Sequence, residues 1–199
     1  MGCGASKQVA PTPHVGEGLL IGCIGAGKTM LMRQLEAACF GKAAGALSGH
    51  SPQPTVGTEL LELRHPLCSF SLREMGGAML PLWPRYFEVC RILIFVADTS
   101  SCEATSAAVV EWYSALAAGA LVGKPMLLVL NQRDREGAIP EEMVRHLFRL
   151  TELETAGRKF AVCWTSAATG CGVDAVLEWC AGAAARGGAA SKAVASGDG

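Results

Sequence analysis

The 199-residue chain predicts an α/β fold: a mostly parallel six-stranded sheet with one antiparallel strand and helices on both faces. Three observations carry this. Short apolar or β-rich runs alternate with longer helix-like stretches between Leu19 and Ala181. Two strand-like runs, near Thr58 to Leu63 and Leu67 to Leu72, follow one another directly, which supplies one antiparallel hairpin. Half of the residues are hydrophobic, enough for a single domain to bury one sizeable core.

Taken in order, Leu19 to Gly22 reads as a strand, Thr29 to Phe40 as a helix, and the hairpin follows. Ile92 to Ala97 is a strand, Glu103 to Ala118 a helix, Met126 to Leu130 a strand and Glu141 to Leu150 a helix. Phe160 to Trp164 and Val173 to Ala181 close the series as strand and helix. Trp83, Tyr86 and Phe87 are spaced like one face of a short helix, suited equally to a partner surface and to core packing. Residues 1–17, rich in Gly, Ala and Pro, read as a flexible N-terminal segment. Residues 18–181 form the domain, and 182–199, almost all Ala, Gly and Ser, read as a disordered tail.

Bulk chemistry narrows the function classes. Seventeen Lys and Arg against eighteen Asp and Glu leave no general attraction to polyanions, so nucleic acid is not an expected partner. Nine cysteines without C-x-x-C spacing read as reduced thiols in a cytoplasmic protein. No apolar run reaches the length of a membrane span, and no secretory leader is visible.

In doubly covered sheets, ligands sit beyond the carboxyl ends of the strands. Gly22, Cys23, Ile24, Gly25, Ala26, Gly27, Lys28 and Thr29 fit G-x-x-x-x-G-K-[ST] between a strand and a helix. Glycines let the backbone turn its N–H groups onto phosphate oxygens, and the helix N-terminus adds its dipole. Lys28 would neutralise the β and γ phosphates, and Thr29 would give its hydroxyl to Mg²⁺.

The later loops select the base. Asn131, Gln132, Arg133 and Asp134 leave the strand Met126 to Leu130, and the Asp134 carboxylate can accept from the N1–H and 2-amino donors of guanine. Thr165, Ser166 and Ala167 leave the next strand, where the Ala167 N–H suits the guanine O6. GTP or GDP with Mg²⁺ is therefore the expected ligand.

These residues, with Pro54 to Gly57 and the stretch Pro81, Leu82, Trp83, Arg85, Tyr86 and Phe87 before Ile92 to Asp98, resemble the ADP-ribosylation factor-like small GTPases over about residues 18–181. The resemblance implies the P-loop small-GTPase fold. It also implies that Thr55 closes over Mg²⁺ and that the Gly77 N–H meets the γ-phosphate. By the same resemblance, the hairpin shifts register between nucleotide states. An exchange factor, a GTPase-activating protein and effectors are implied as partners, and membrane traffic, with a ciliary role, as the setting.

Departures from the family pattern matter. Glu74, Met75, Gly76, Gly77 and Ala78 stand where the family has an aspartate, a spacer, two glycines and a glutamine. Ala78 has no group to orient an attacking water, so intrinsic hydrolysis is expected to be slow. The Glu74 carboxylate can reach the Mg²⁺ shell directly or through a water, or be a solvated strand-end charge. Gln132 replaces a lysine whose stem lies along the base, which predicts weaker stacking and faster exchange. Met30 lacks the hydroxyl that touches the α-phosphate in many relatives. The alternative is a non-hydrolysing guanine-nucleotide-bound interaction module.

Met1, Gly2, Cys3, Gly4, Ala5 and Ser6 fit the N-myristoylation pattern at Gly2, with Cys3 placed for S-palmitoylation. Two acyl chains give stable peripheral membrane attachment where one gives marginal binding. Pro11, Pro13 and Gly16 argue against an amphipathic anchoring helix in the same stretch.

Overall fold

Period-two alternation in the central strands creates two cores, one on each side of a single sheet. The computed structural model describes residues 14–41, 55, 57–66 and 68–195. Strands β1 (His14–Ile21), β2 (Thr58–His65), β3 (Cys68–Met75), β4 (Ile92–Asp98), β5 (Met126–Asn131) and β6 (Ala161–Trp164) lie in the order β2-β3-β1-β4-β5-β6. β2 runs antiparallel to β3, and every other neighbouring pair is parallel. The predicted sheet is the observed one.

Ile92, Ile94 and Val96 of β4, with Leu127 and Val129 of β5, face one core. Leu93, Phe95, Ala97, Leu128 and Leu130 face the other. Helix α1 (Lys28–Cys39) covers the first core through Leu31 and Leu35, beside α6 (Val173–Ala195) through Val176, Leu177 and Cys180. The second core is covered by α2 (Trp83–Phe87), α3 (Cys102–Ala117), α4 (Glu141–Leu147) and α5 (Leu150–Thr155). Its centre is an edge-to-face chain of rings, Trp83 on Phe95, Phe95 on Trp112 and Trp112 on Phe160. Trp83 and Phe87 are thus core residues, which decides between the two uses their spacing allowed; Tyr86 is half-buried.

Most strand and helix ends differ from the predicted ones by a few residues, β2 and β3 reaching His65 and Met75, and three differences are larger. β1 begins at His14 rather than Leu19, inside the segment read as flexible, because its first half pairs with β3. The Glu17 carboxylate there accepts two hydrogen bonds from the Arg73 guanidinium, at 2.6 and 3.1 Å. The helix expected over Glu141 to Leu150 is two short helices, separated where Arg149 takes a left-handed conformation (φ 48°). α6 continues to Ala195, into the stretch read as a disordered tail. The high helix propensity of alanine outweighs the cost of Gly187 and Gly188, about 1 kcal/mol each. Residues 1–13 and 196–199, including Gly2 and Cys3, lie outside the described residues.

Candidate functional site

The loop from Gly22 to Gly27 leaves β1 at its carboxyl end and enters α1 directly. Gly27 is the N-cap, with φ 88° and no side-chain cap, so the first amides of the helix are open toward the loop. Its left-handed conformation suits glycine, and a Cβ there would strike the Asn131 amide. Lys28, buried, donates from Nζ to the carbonyls of Gly22 and Cys23, both at 2.9 Å. Burial pulls the ammonium below its ordinary pKa, opposed by the nearby Glu74 carboxylate.

Thr29, Thr55 from the segment before β2, and Glu74 near the end of β3 come together at the mouth of this loop. The Thr29 hydroxyl donates to Glu74 Oε1 at 2.7 Å and lies 2.9 Å from the Thr55 hydroxyl, which is itself 3.4 Å from Oε1. Glu74 is 1% exposed, and its Oε2 has no hydrogen-bond partner among the described residues. That excludes a solvated strand-end charge. Burial raises the carboxyl pKa, opposed by the Thr29 hydrogen bond and by Lys28. Two hydroxyls, one carboxylate and an orphaned carboxylate oxygen form an all-oxygen donor set that suits Mg²⁺. No cluster of three acidic, His or Cys ligands occurs among the described residues, so a cation here needs further negative charge from its ligand.

Gly76 and Gly77 press against the same mouth. The Gly76 N–H donates to Gly57 O at 3.0 Å, tying the segment before β2 to the segment after β3 backbone to backbone. A Cβ on Gly77 would come within 2.5 Å of Ile24 N, so only glycine fits this close to the loop. Ala78 follows in a 3₁₀ turn (Gly77–Leu82) and is exposed.

Asn131 joins three loops. Its Nδ2 donates to Ala26 O at 2.9 Å, and its Oδ1 accepts from Thr165 Oγ1 at 3.0 Å and from the Ala167 N–H at 2.9 Å. The Ala167 N–H, expected at the guanine O6, donates here to Asn131 Oδ1. Ser166 Oγ donates to Asp134 Oδ1 at 2.6 Å, which holds the exposed Asp134 carboxylate in place. Gln132, in a left-handed conformation (φ 66°), donates from Nε2 to Gly25 O at 2.7 Å and to Asp98 Oδ2 at 3.0 Å. Met30 packs against the core and presents nothing polar to the loop.

Two contributors carry no motif. Asp98 ends β4 and receives the Gln132 amide, while Gln34 of α1, 1% exposed, donates from Nε2 to Ala167 O at 3.0 Å. Asp98 could have been found as an acid at a strand's carboxyl end; Gln34 has no sequence signal beyond a polar residue on an apolar helix face. Beside the Asp134–Ser166 corner lies a cleft of about 310 Å³ walled also by Arg133, Glu141 and Trp164. None of residues 22–29 lines it, so it is separate from the phosphate end. Arg133 stacks on Trp164 with its guanidinium carbon 5.1 Å from the ring centroid and donates to Ile139 O at 2.6 Å, which fixes the loop after Asn131.

Residues 12–183 match the model of the ADP-ribosylation factor family. The chain is 33% identical over 178 residues to ADP-ribosylation factor-like protein 16 of Homo sapiens, covering 88% of this chain and 90% of that protein. It is 26% identical over 163 residues to ADP-ribosylation factor 3 of Arabidopsis thaliana, covering 81% and 84%. Its fold is similar to that of the Arl6 BBS3 small GTPase of Trypanosoma brucei, solved with the nucleotide analogue GppNp. The TM-score is 0.70 at 22% identity, over 85% of this chain and 97% of that one.

Proposed function

The chain belongs to the ADP-ribosylation factor family, and on that premise we propose that it is a GTP/GDP-binding switch with weak intrinsic hydrolysis, acting in membrane traffic through nucleotide-dependent partners. The observation that carries this is the convergence of Thr29, Thr55 and Glu74 at the mouth of the loop, bonded at 2.7 to 3.4 Å. That contact draws the first switch, from residue 55, to the first turn of α1 and the end of β3.

Gly25, Ala26, Gly27, Lys28, Thr29 and Met30 take the phosphates, mainly through backbone N–H groups and the Lys28 ammonium. Asn131, Gln132, Asp134, Ser166 and Ala167 form the base corner. Asp134 Oδ2 is available for the guanine N1–H and 2-amino donors while Oδ1 is held by Ser166. Thr29, Thr55 and Glu74 would hold Mg²⁺, which would supply positive charge against the β and γ phosphates. Thr55 and Gly77 sense the γ-phosphate, so its loss frees the segments joined at Gly57 and Gly76 for partners to distinguish. Exchange factor, activating protein and effectors act on these segments. Myristate on Gly2 and palmitate on Cys3 attach the chain peripherally to a membrane; among the described residues no helix is long and apolar enough to cross one.

A non-hydrolysing module is favoured as a second reading by one observation, the exposed, apolar Ala78 beside the site. Identification of the co-purifying nucleotide by chromatography, followed by single-turnover conversion with Mg²⁺, tests both. Guanine nucleotide with slow turnover that Ala78→Gln accelerates is the expected result. Adenine nucleotide, or none after reloading, sinks the switch. Turnover that stays at zero in wild type with an activating partner leaves the module as the answer.

A further inference from the structure

We propose that Lys124 clamps α2 to the core in either nucleotide state and so divides the segment after β3 into a responsive run, Gly77–Leu82, and a fixed helix. This division rests on the switch reading above and sets how far the nucleotide's influence extends along the chain.

On its own, α2 has little to hold it. It is five residues long, Leu82 gives its first amides no side-chain cap, and Pro84 in its first turn has no N–H. A helix this short depends on tertiary contacts. Two come from its own side chains, Trp83 and Phe87, which are buried in the second core. Lys124 supplies the third. Its ammonium donates to Phe87 O at 2.6 Å and to Glu88 O and Cys90 O, each at 2.8 Å. All three N–H groups of the side chain are thus placed on carbonyls at the carboxyl end of α2, where a positive charge also meets the negative end of the helix.

Lys124 is itself anchored at the edge of the sheet opposite the phosphate loop. Its N–H donates to Leu121 O at 3.1 Å, and the next residue, Pro125, accepts at its carbonyl from the Leu93 N–H of β4 at 3.0 Å. β5 begins immediately after, at Met126, and carries Asn131 at its other end. A phosphate gained or lost at the Gly22–Gly27 loop therefore acts a full strand length away from the clamp.

The run before α2 is built the opposite way. None of Gly77–Leu82 is buried, Met79 departs from helical backbone, and Pro81 lies inside the turn. Its ties lead to the nucleotide side: the Gly77 backbone lies against Ile24, and the preceding Gly76 bonds to Gly57. Burial and the direction of the contacts both change between Leu82 and Trp83, which places the hinge there. A partner that contacts Gly77 to Leu82 senses the nucleotide, whereas one that contacts only the exposed Arg85, Glu88 and Val89 binds both states alike.

Hydrogen–deuterium exchange read by mass spectrometry tests this on the full chain, loaded with GDP or with a non-hydrolysable GTP analogue, with bound nucleotide assayed in each sample. Wild type is expected to show nucleotide-dependent exchange within residues 77–82 and the same slow exchange at the Phe87 to Cys90 amides in both states. Lys124→Met keeps the aliphatic stem and removes the charge; its Phe87 to Cys90 amides are expected to exchange about tenfold or more faster and to differ between the two nucleotides. Lys124→Arg, which keeps a cation and its donors, is expected to fall between the two. Wild-type Phe87 to Cys90 amides that differ between nucleotides overturn the fixed helix, a result that needs no variant to fold. A Lys124→Met protein that matches wild type at those amides, or that exchanges faster evenly along the whole chain, overturns the local clamp. A chain that holds no guanine nucleotide overturns the switch and the division together, and the nucleotide assay tells that failure from the others.

Discussion

Gln132 sits in left-handed backbone, a conformation that costs a residue with a Cβ roughly 1 kcal/mol or more unless its surroundings fix it. Here they do, because the bend brings its amide to Gly25 O and Asp98 Oδ2, joining the base loop to the phosphate loop. The residue type suggested a weakened grip on the purine and faster exchange. The contacts add an opposing effect, a direct strut onto the phosphate loop. Gln132→Ala removes both bonds and is expected to speed release of a fluorescent GDP analogue by about fivefold to tenfold, the effect of one or two partly exposed hydrogen bonds. A rate unchanged in stopped-flow displacement would mean that the strut does not restrain the loop. Glu74 teaches a similar lesson: its identity left three roles open, and only its 1% exposure and its contacts with Thr29 and Thr55 removed the solvated one.

Strands built on continuous apolar runs were legible in advance. Ile92 to Ala97 and Met126 to Leu130 are apolar on both faces because both faces are covered. The break at Arg149 was not legible, since no Gly or Pro marks it and Phe148 and Leu150 on either side both enter the core. Asp98 and Gln34 were missed for a different reason: their partners lie 34 and 133 positions away in sequence, and no local spacing encodes such contacts. The N-terminal segment is the element for which sequence alone still carries the argument. Pro11 and Pro13 disfavour an inserting helix, so acyl chains should provide the attachment. Gly2→Ala is expected to move the chain from the membrane pellet to the supernatant on cell fractionation, and Cys3→Ser to leave a partial, salt-insensitive loss. A Gly2→Ala protein that still sediments with membranes would refute acylation as the anchor.

At the scale of the molecule, the site exists because four parallel strands end side by side and the loops after three of them are held by one buried amide. β1, β4, β5 and β6 are neighbours, so the loops after β1, β5 and β6 open on the same edge of the sheet. Asn131, 1% exposed, ties Ala26, Thr165 and Ala167 together across that edge. Asn131→Ala leaves a buried carbonyl, a hydroxyl and an N–H without this partner. Each such loss costs about 1–3 kcal/mol, so total destabilisation of about 3 kcal/mol or more is expected in urea unfolding without nucleotide. Thr165→Val, which removes one of the three bonds and keeps the volume, should cost about 1 kcal/mol. Ligand linkage separates the site from the fold. Wild type at a hundredfold excess of GDP over its dissociation constant should gain about 2.7 kcal/mol, whereas Asn131→Ala at the same GDP concentration should gain almost nothing because the loops no longer share a register. If the variant loses stability yet keeps the full GDP increment, Asn131 is a core amide only, and the three loops hold their relative positions through the sheet alone.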